Sequence, residues 1–261
     1  PYEWHSQIFE TAQNEGLICF SSPFCEEDLV FLRRFEPPAM KIASFEVNDE
    51  NFVRLVAKEN KPTLISTGIA TNEELKRVVD IFKEEDNANL MFLKCTSAYP
   101  APLECLNLKA LHSLKECFGV EVGLSDHSFG LIAPVMSVAL GARAIEKHFV
   151  LDKSVKSEDS AFSLDFDEFK AMVQAVREAE KALGNGALEL DEKALKNREF
   201  ARSLYASKDI KKGEVFSAKN VKSVRPNFGL HPKFYQTILG KSAKKDIEFG
   251  SALKKEDFDE F

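Results

Sequence analysis

A chain of 261 residues with a net charge of −7 has room for one large domain and a small appendage, and its acidity argues against a general nucleic-acid binder, whose footprint is basic. No apolar run approaches the ~18 residues needed to cross a bilayer, which argues against a membrane protein. Cys19, Cys25, Cys95, Cys105 and Cys117 are odd in number and lack CxxC spacing, so free thiols in a reducing, cytoplasmic setting are expected.

The chain opens on Pro1-Tyr2-Glu3-Trp4 and passes directly into an amphipathic helix. Six short apolar or β-branched runs follow, at 17–22, 40–44, 63–67, 91–97, 122–127 and 144–148, each ending in a polar cluster. Helical patterns separate them. Leu75, Val78, Val79 and Phe82 recur at i, i+3, i+4 and i+7, with Thr71-Asn72 available as caps. The nearly all-apolar stretch 129–140, with Pro134 near its first turn, reads as a helix packed deeply between neighbours. Phe166, Phe169, Met172, Val173, Val176 and Leu183 mark a longer helix that stops at Gly184-Asn185-Gly186. Short buried strands alternating with helices indicate an α/β chain with a parallel sheet covered on both faces. Six units at about 25 residues each fall short of the eight in a complete (β/α)8 barrel of ~250 residues, so two units are expected to be missing in front.

After Gly186 the pattern changes. The stretch 189–202 is charged and reads as a helical or extended linker. Lys208-Asp209-Ile210-Lys211-Lys212-Gly213 then recurs as Lys245-Asp246-Ile247-Glu248-Phe249-Gly250, which suggests a small, pseudo-symmetric β-rich module. The expected division is a barrel domain over 1–186, a linker over 187–202 and the module over 203–261. Lys208, Lys211, Lys212, Lys244 and Lys245 are read as solvated turn residues rather than a binding patch.

Catalytic residues of a (β/α) barrel sit where its strands end. His127 and His148 end consecutive strands, which lie ~4.8 Å apart when adjacent. Two imidazoles so placed can share a divalent ion, and imidazole does not choose among several metals. Two separate histidines bonded to loops remain the alternative, because no third ligand stands out. Asp126 is a candidate to orient His127, and Glu146 sits at the mouth. Lys41 and Lys94 lie within strands, where an ammonium needs a charge partner or an open mouth. Ser22, Ser44, Ser66, Ser97 and Ser125 fit a ring of donors around a phosphate or carboxylate. No Ser-His-Asp elbow, Walker loop or GxGxxG follows a strand. Metal- and lysine-assisted chemistry on a small anion is what the residues support.

The motifs Lys41-Ile42-Ala43-Ser44-Phe45-Glu46, Ile65-Ser66-Thr67-Gly68, Lys94-Cys95-Thr96-Ser97-Ala98-Tyr99-Pro100, Gly123-Leu124-Ser125-Asp126-His127 and Ile145-Glu146-Lys147-His148-Phe149, in this order, resemble those of the sialic acid synthase family. Its members condense phosphoenolpyruvate with an N-acylated hexosamine-type sugar to give nonulosonic acids. The resemblance spans the whole chain and implies a TIM barrel, here lacking its first two βα units, followed by an antifreeze-like (SAF) domain. The first and third motifs, Asp159-Ser160-Ala161-Phe162-Ser163 and the run from Arg225-Pro226 to Pro232 look most like the branch that makes pseudaminic acid from a 2,4-diacetamido-2,4,6-trideoxy-altrose-type sugar. N-acetylneuraminate or legionaminate synthesis is the alternative within the family.

The resemblance also implies roles. His127 and His148 would bind a divalent ion (Mn²⁺, Mg²⁺ or Co²⁺). Lys41, Ser22, Ser44, Ser66, Ser97, Tyr99 and Ser125 would hold phosphoenolpyruvate. Glu46 and Asp159 would lie near the reacting centre and the acetamido sugar, and Arg225 would cover the N-acyl group of a partner subunit's substrate in a domain-swapped homodimer. The family's first strand, with its Glu and Asn-His, and a second strand with another lysine have no counterpart here, so an open barrel of poor stability and little activity is expected of the chain alone. A Schiff-base pyruvate aldolase using Lys41 or Lys94 is a rival enzyme, and a non-catalytic sugar- or ice-binding protein a more distant one.

Overall fold

The structure, a computed structural model, describes residues 2–155 and 157–258; Pro1, in the expected lead-in, lies outside them. The chain divides into two compact units, Pro1–Asn185 and Gly186–Phe261.

In the first unit a helical turn leads into α1 (His5–Asn14), followed by α2 (Glu26–Arg33). Then β1 (Met40–Ile42), α3 (Glu50–Ala57), β2 (Thr63–Ser66), α4 (Asn72–Glu84), β3 (Leu90–Cys95), α5 (Ala110–Phe118), β4 (Glu121–Asp126), α6 (Ile132–Ala139), β5 (Ile145–Lys147) and α7 (Phe166–Leu183) alternate. The strands form one parallel sheet in the order β1-β2-β3-β4-β5. Five of the six expected runs are therefore strands. The run at 17–22 is not: Leu17 and Ile18 are 67% and 77% exposed, and β1 pairs with β2 alone. Strand-like composition without a ladder partner leaves the chain extended and solvated.

The sheet curls. Lys41 Nζ in β1 lies 3.7 Å from Glu146 Oε2 in β5, whereas the outer strands of a flat five-stranded sheet would stand ~19 Å apart at the usual strand spacing. This is an arc of a (β/α) barrel with its polar face inward. On the outer face Met40, Ile42, Ile65, Phe92 and Val122 pack against Val53, Val56, Leu75, Val78, Phe82 and Leu111 of the helices. Thr71 and Glu74 close a capping box on α4, and Asp165 and Glu168 close another on α7. The expectation for 129–140 needs correction. Ala133, Pro134, Ser137 and Val138 are buried in α6, but Ile132 and Met136 are 58% and 50% exposed. Only the stripe against β4 and α7 is covered, since apolar composition does not itself supply a neighbour for every face. Among the described residues no helix is long and apolar enough to cross a membrane.

In the second unit α8 (Glu192–Asn197) and a helical turn (Arg198–Phe200) occupy most of the expected linker. β6 (Ser203–Ala206) and β7 (Val221–Val224) pair antiparallel over a core that includes Leu204, Ile210, Phe216, Ile247, Leu253 and Phe258. The repeated hexapeptides pair with each other about a pseudo-twofold. Ile210 and Ile247 exchange both backbone hydrogen bonds at 2.8 Å. Asp209 accepts the Phe249 N–H and Asp246 the Lys212 N–H, each at 2.8 Å. Gly213 and Gly250 end the two copies at φ 86° and 78°, a region that side chains disfavour. Lys211 and Lys245 are ion-paired to Asp246 and Asp257 at the surface.

Candidate active site

Alternation along the strands separates the polar residues into two sets. Residues opposite one another in a parallel ladder share a face, and Ser125 is opposite Glu146. Ser125 Oγ donates to Glu146 Oε1 at 2.7 Å, and Glu146 Oε2 faces Lys41 across the arc. The Lys41 side chain is 8% exposed and its ammonium also donates to the Ile42 carbonyl at 2.9 Å. Burial pushes the Lys41 pKa below the ordinary lysine range, and Glu146 opposes that shift. A cavity of about 400 Å³ opens here, lined by Phe20, Ser21, Ser22, Phe24, Lys41 and Glu146, so Ser22 joins the pocket although its run is not a strand.

Ser44 and Ser97 place their hydroxyls 3.2 Å apart. Gly68 makes this possible: a Cβ there would stand 2.1 Å from Ser97 Oγ and 2.9 Å from Ser44 Cβ. Ser66 Oγ and Glu46 Oε2 are buried without a hydrogen-bond partner, a state that costs free energy unless something is bound there. The serine hydroxyls can donate to a small anion, with Lys41 supplying the charge.

Beside this pocket stand the histidines, their ring centroids 5.2 Å apart at 68°. His127 Nδ1 lies 3.0 Å from the Thr96 carbonyl; a neutral ring there donates from Nδ1 and keeps its lone pair on Nε2. Burial lowers the His127 pKa, but the Cys95 thiol, within hydrogen-bond reach of the same ring, and the Thr96 carbonyl outweigh it and leave it raised. Burial, then the nearby His127, holds the His148 pKa below the usual value, favouring the neutral ligand form. Asp159 Oδ2 is 3.6 Å from His148 Nδ1. Phe162, 2% exposed, packs against His148 at 5.0 Å and His127 at 6.2 Å, and Tyr99 lies over His127 at 4.4 Å.

Two imidazoles bound to one ion at ~2.1 Å per bond have centroids about 5 Å apart, so the pair fits a divalent ion. No group of three or more His, Cys, Asp or Glu side chains arranged to hold a metal occurs among the described residues.

Two sequence expectations change. Asp126 does not orient His127; its carboxylate is on the other face, paired with Lys147. Lys94 does not reach the pocket. It is opposite Leu124 in the ladder, on the helix-covered side, with its ammonium on the Cys95 carbonyl and Thr96 hydroxyl. Burial lowers its pKa, but the face is wrong for a nucleophile. Arg225 is an exposed residue of the second unit, just after β7. Sequence reasoning passes over Gly68 and Phe162 except as parts of motifs, and it gives Glu146 a place at the mouth without a role. The signals for Gly68 and Glu146 are a glycine two residues beyond a strand and a carboxylate two residues before His148 on the same face; Phe162 has none.

Among known families, the NeuB family profile matches residues 1–188 and the SAF domain profile residues 201–259. Pseudaminic acid synthase of Campylobacter jejuni serotype O:23/36 (strain 81-176) is 76% identical over 99% of this chain and 75% of its own length. Pseudaminic acid synthase of Helicobacter pylori is 45% identical over 99% of this chain and 76% of its own. The crystal structure of the N-acetylneuraminic acid synthetase of Leptospira borgpetersenii, in complex with citrate, superposes with a TM-score of 0.72 at 28% identity, covering 76% of this chain and 69% of that one. The chain spans about three quarters of the length of the two synthases.

Proposed function

The chain belongs to the NeuB family, and on that premise we propose that its pocket condenses phosphoenolpyruvate with an acetamido sugar and water to give pseudaminic acid and phosphate. The observation that carries this is the inward array of Lys41, Glu146 and Ser125 beside two imidazoles 5.2 Å apart. The 76% identity to a pseudaminic acid synthase supports a 2,4-diacetamido-2,4,6-trideoxy-altrose-type acceptor over the neuraminate and legionaminate precursors.

The reaction joins C3 of phosphoenolpyruvate to the aldehyde carbon of the open-chain sugar. Water then adds at C2, and the C2–O bond to phosphate breaks. The two protons of that water end on the new sugar hydroxyl and on the departing phosphate. Lys41 and the hydroxyls of Ser22, Ser44, Ser66 and Ser97 bind the phosphoenolpyruvate oxygens and stabilise the anion as it leaves. Tyr99 walls the enol, and Ser125 acts through Glu146. Glu46, whose unpartnered Oε2 lies within reach of the Lys41 charge, takes the proton from the water that attacks C2. Asp159 is placed beside His148 to meet the sugar. His127 and His148 would hold a divalent ion (Mn²⁺, Mg²⁺ or Co²⁺), which when bound supplies Lewis-acid polarisation of the aldehyde.

Arg225 serves the site of a second copy in a domain-swapped homodimer, and the five free cysteines suit a cytoplasmic enzyme. The domain limits proposed are 1–186, 187–202 and 203–261. Mass spectrometry of products from phosphoenolpyruvate, Mn²⁺ and each candidate amino sugar tests the assignment. Pseudaminic acid with phosphate release is expected; legionaminic or neuraminic acid as the main product would refute the acceptor. Borohydride trapping of a pyruvate adduct on Lys41 would replace the synthase with an aldolase.

A further inference from the structure

Lys147 Nζ and Asp126 Oδ2 stand 2.7 Å apart, and neither side chain is exposed at all. Asp126 Oδ1 accepts the N–H and the hydroxyl of Ser128 at 2.9 and 2.7 Å, and Lys147 also donates to the Ser128 carbonyl. All of this lies on the sheet face away from Ser125 and Glu146, outside the reaction pocket. Apolar side chains of similar volume commonly stabilise a core as well as a buried ion pair does, so stability is a weak reason for its presence.

Register is a stronger one. Asp126 and Lys147 form the last rung of the β4–β5 ladder, and His127 and His148 are the next residue along each chain. β5 has only three residues, and Ile145 is its one apolar side chain. Hydrophobic patterning therefore specifies its register poorly, and a slip of one residue would turn His148 to the opposite face. His127 is tied to the Thr96 carbonyl. The carboxylate beside His148, Asp159, is 3.6 Å away, beyond a good hydrogen bond.

We propose that the buried Lys147–Asp126–Ser128 network is a positioning element that sets the spacing of His127 and His148 for a shared divalent ion. It rests on the metal-binding reading of the site given above. Lys147 and Asp126 touch neither substrate nor ion; they act through the rung beneath the two rings.

The test is Mn²⁺ binding to the metal-stripped full chain by calorimetry, with thermal melting in parallel. In the double variant Asp126→Leu/Lys147→Met both charges leave together, so the fold should persist while Mn²⁺ binds about 10- to 100-fold more weakly. Asp126→Glu keeps the ion pair but adds a methylene. It should melt somewhat below the unmodified protein, because the methylene enters a fully buried site, and bind Mn²⁺ roughly 10-fold more weakly, and it answers the question should the double variant fail to fold. Unchanged Mn²⁺ affinity in Asp126→Glu, or in a folded double variant, overturns the positioning role and leaves the metal reading intact. An unmodified protein that binds no Mn²⁺ overturns both.

Discussion

Replacing Gly68 with alanine isolates the anion pocket from the fold. Gly68 does not have positive φ, so alanine meets no left-handed backbone penalty, and its cost comes from the contacts of the new Cβ. The damage is local. The new Cβ would stand 2.1 Å from Ser97 Oγ, so that hydroxyl must retreat by roughly 1.3 Å to reach ordinary contact. Rotation of Ser97 relieves this clash but ends its 3.2 Å contact with Ser44. Ser44 Cβ, at 2.9 Å, can move only with its backbone. Losing one hydroxyl donor to a charged ligand costs about 1.5–3 kcal/mol, so kcat/KM for phosphoenolpyruvate should fall roughly 10- to 100-fold. Phosphate release at varied phosphoenolpyruvate, with a melting curve as control, measures the effect. In a Ser97→Ala background the same change should do less harm, because the nearest clashing atom is gone. A Gly68→Ala protein with unaltered kcat/KM would remove Ser44 and Ser97 from the pocket.

Burial holds Lys41 below the ordinary lysine pKa, so phosphoenolpyruvate binding should weaken on the alkaline side earlier than for an exposed lysine. For the same group the unfolded chain binds more protons in that window, so its own contribution to stability rises with pH there. Glu146→Gln removes the carboxylate that supports the Lys41 charge and should move the alkaline limb of the pH profile to lower pH; an unmoved limb would mean that Glu146 does not tune Lys41. Chelation should abolish turnover, with recovery on adding Mn²⁺, Mg²⁺ or Co²⁺, and His148→Ala should not recover; full turnover in chelator would remove the ion from the reaction. In the C-terminal unit, Asp209→Ala and Asp246→Ala should each lower stability by about 0.5–1.5 kcal/mol in denaturant titrations, because each carboxylate caps the other's turn. A loss from only one of them would show that the repeat is not energetically reciprocal.

The alternation of strands and helices was legible because each signal is local: the capping box at Thr71 and Glu74, the glycine stop at Gly184, the apolar stripe of α4. The failures concern partners that no local pattern reports. The run at 17–22 has the composition of a strand and no ladder. The stretch 129–140 has the composition of a buried helix and an uncovered face. Hydrogen-bond partners and neighbouring helices are supplied by distant parts of the chain, so single-segment reasoning over-counts order in both places.

The site was legible as a set of residue types and much less so as a geometry, and strand parity accounts for the difference. Cys95 is opposite Ser125, and Ser125 is opposite Glu146, which places all three on the face of Lys41, whose ammonium meets Glu146. Lys94 and Leu124, and Asp126 and Lys147, are the rungs on the other face. Reading every polar residue at a strand end as part of one floor merges these two sets. Lys94 then looks like a nucleophile and Asp126 like a histidine's partner, although the pleat turns both away from the pocket. The motif Ser125-Asp126-His127 thus divides between alternate faces: Ser125 and His127 lie on the inner face, while Asp126 is paired with Lys147 behind it. Glu146-Lys147-His148 repeats the same division on the neighbouring strand, which is why substitutions at the middle residues should alter the spacing of the rings without removing any group that meets the substrate.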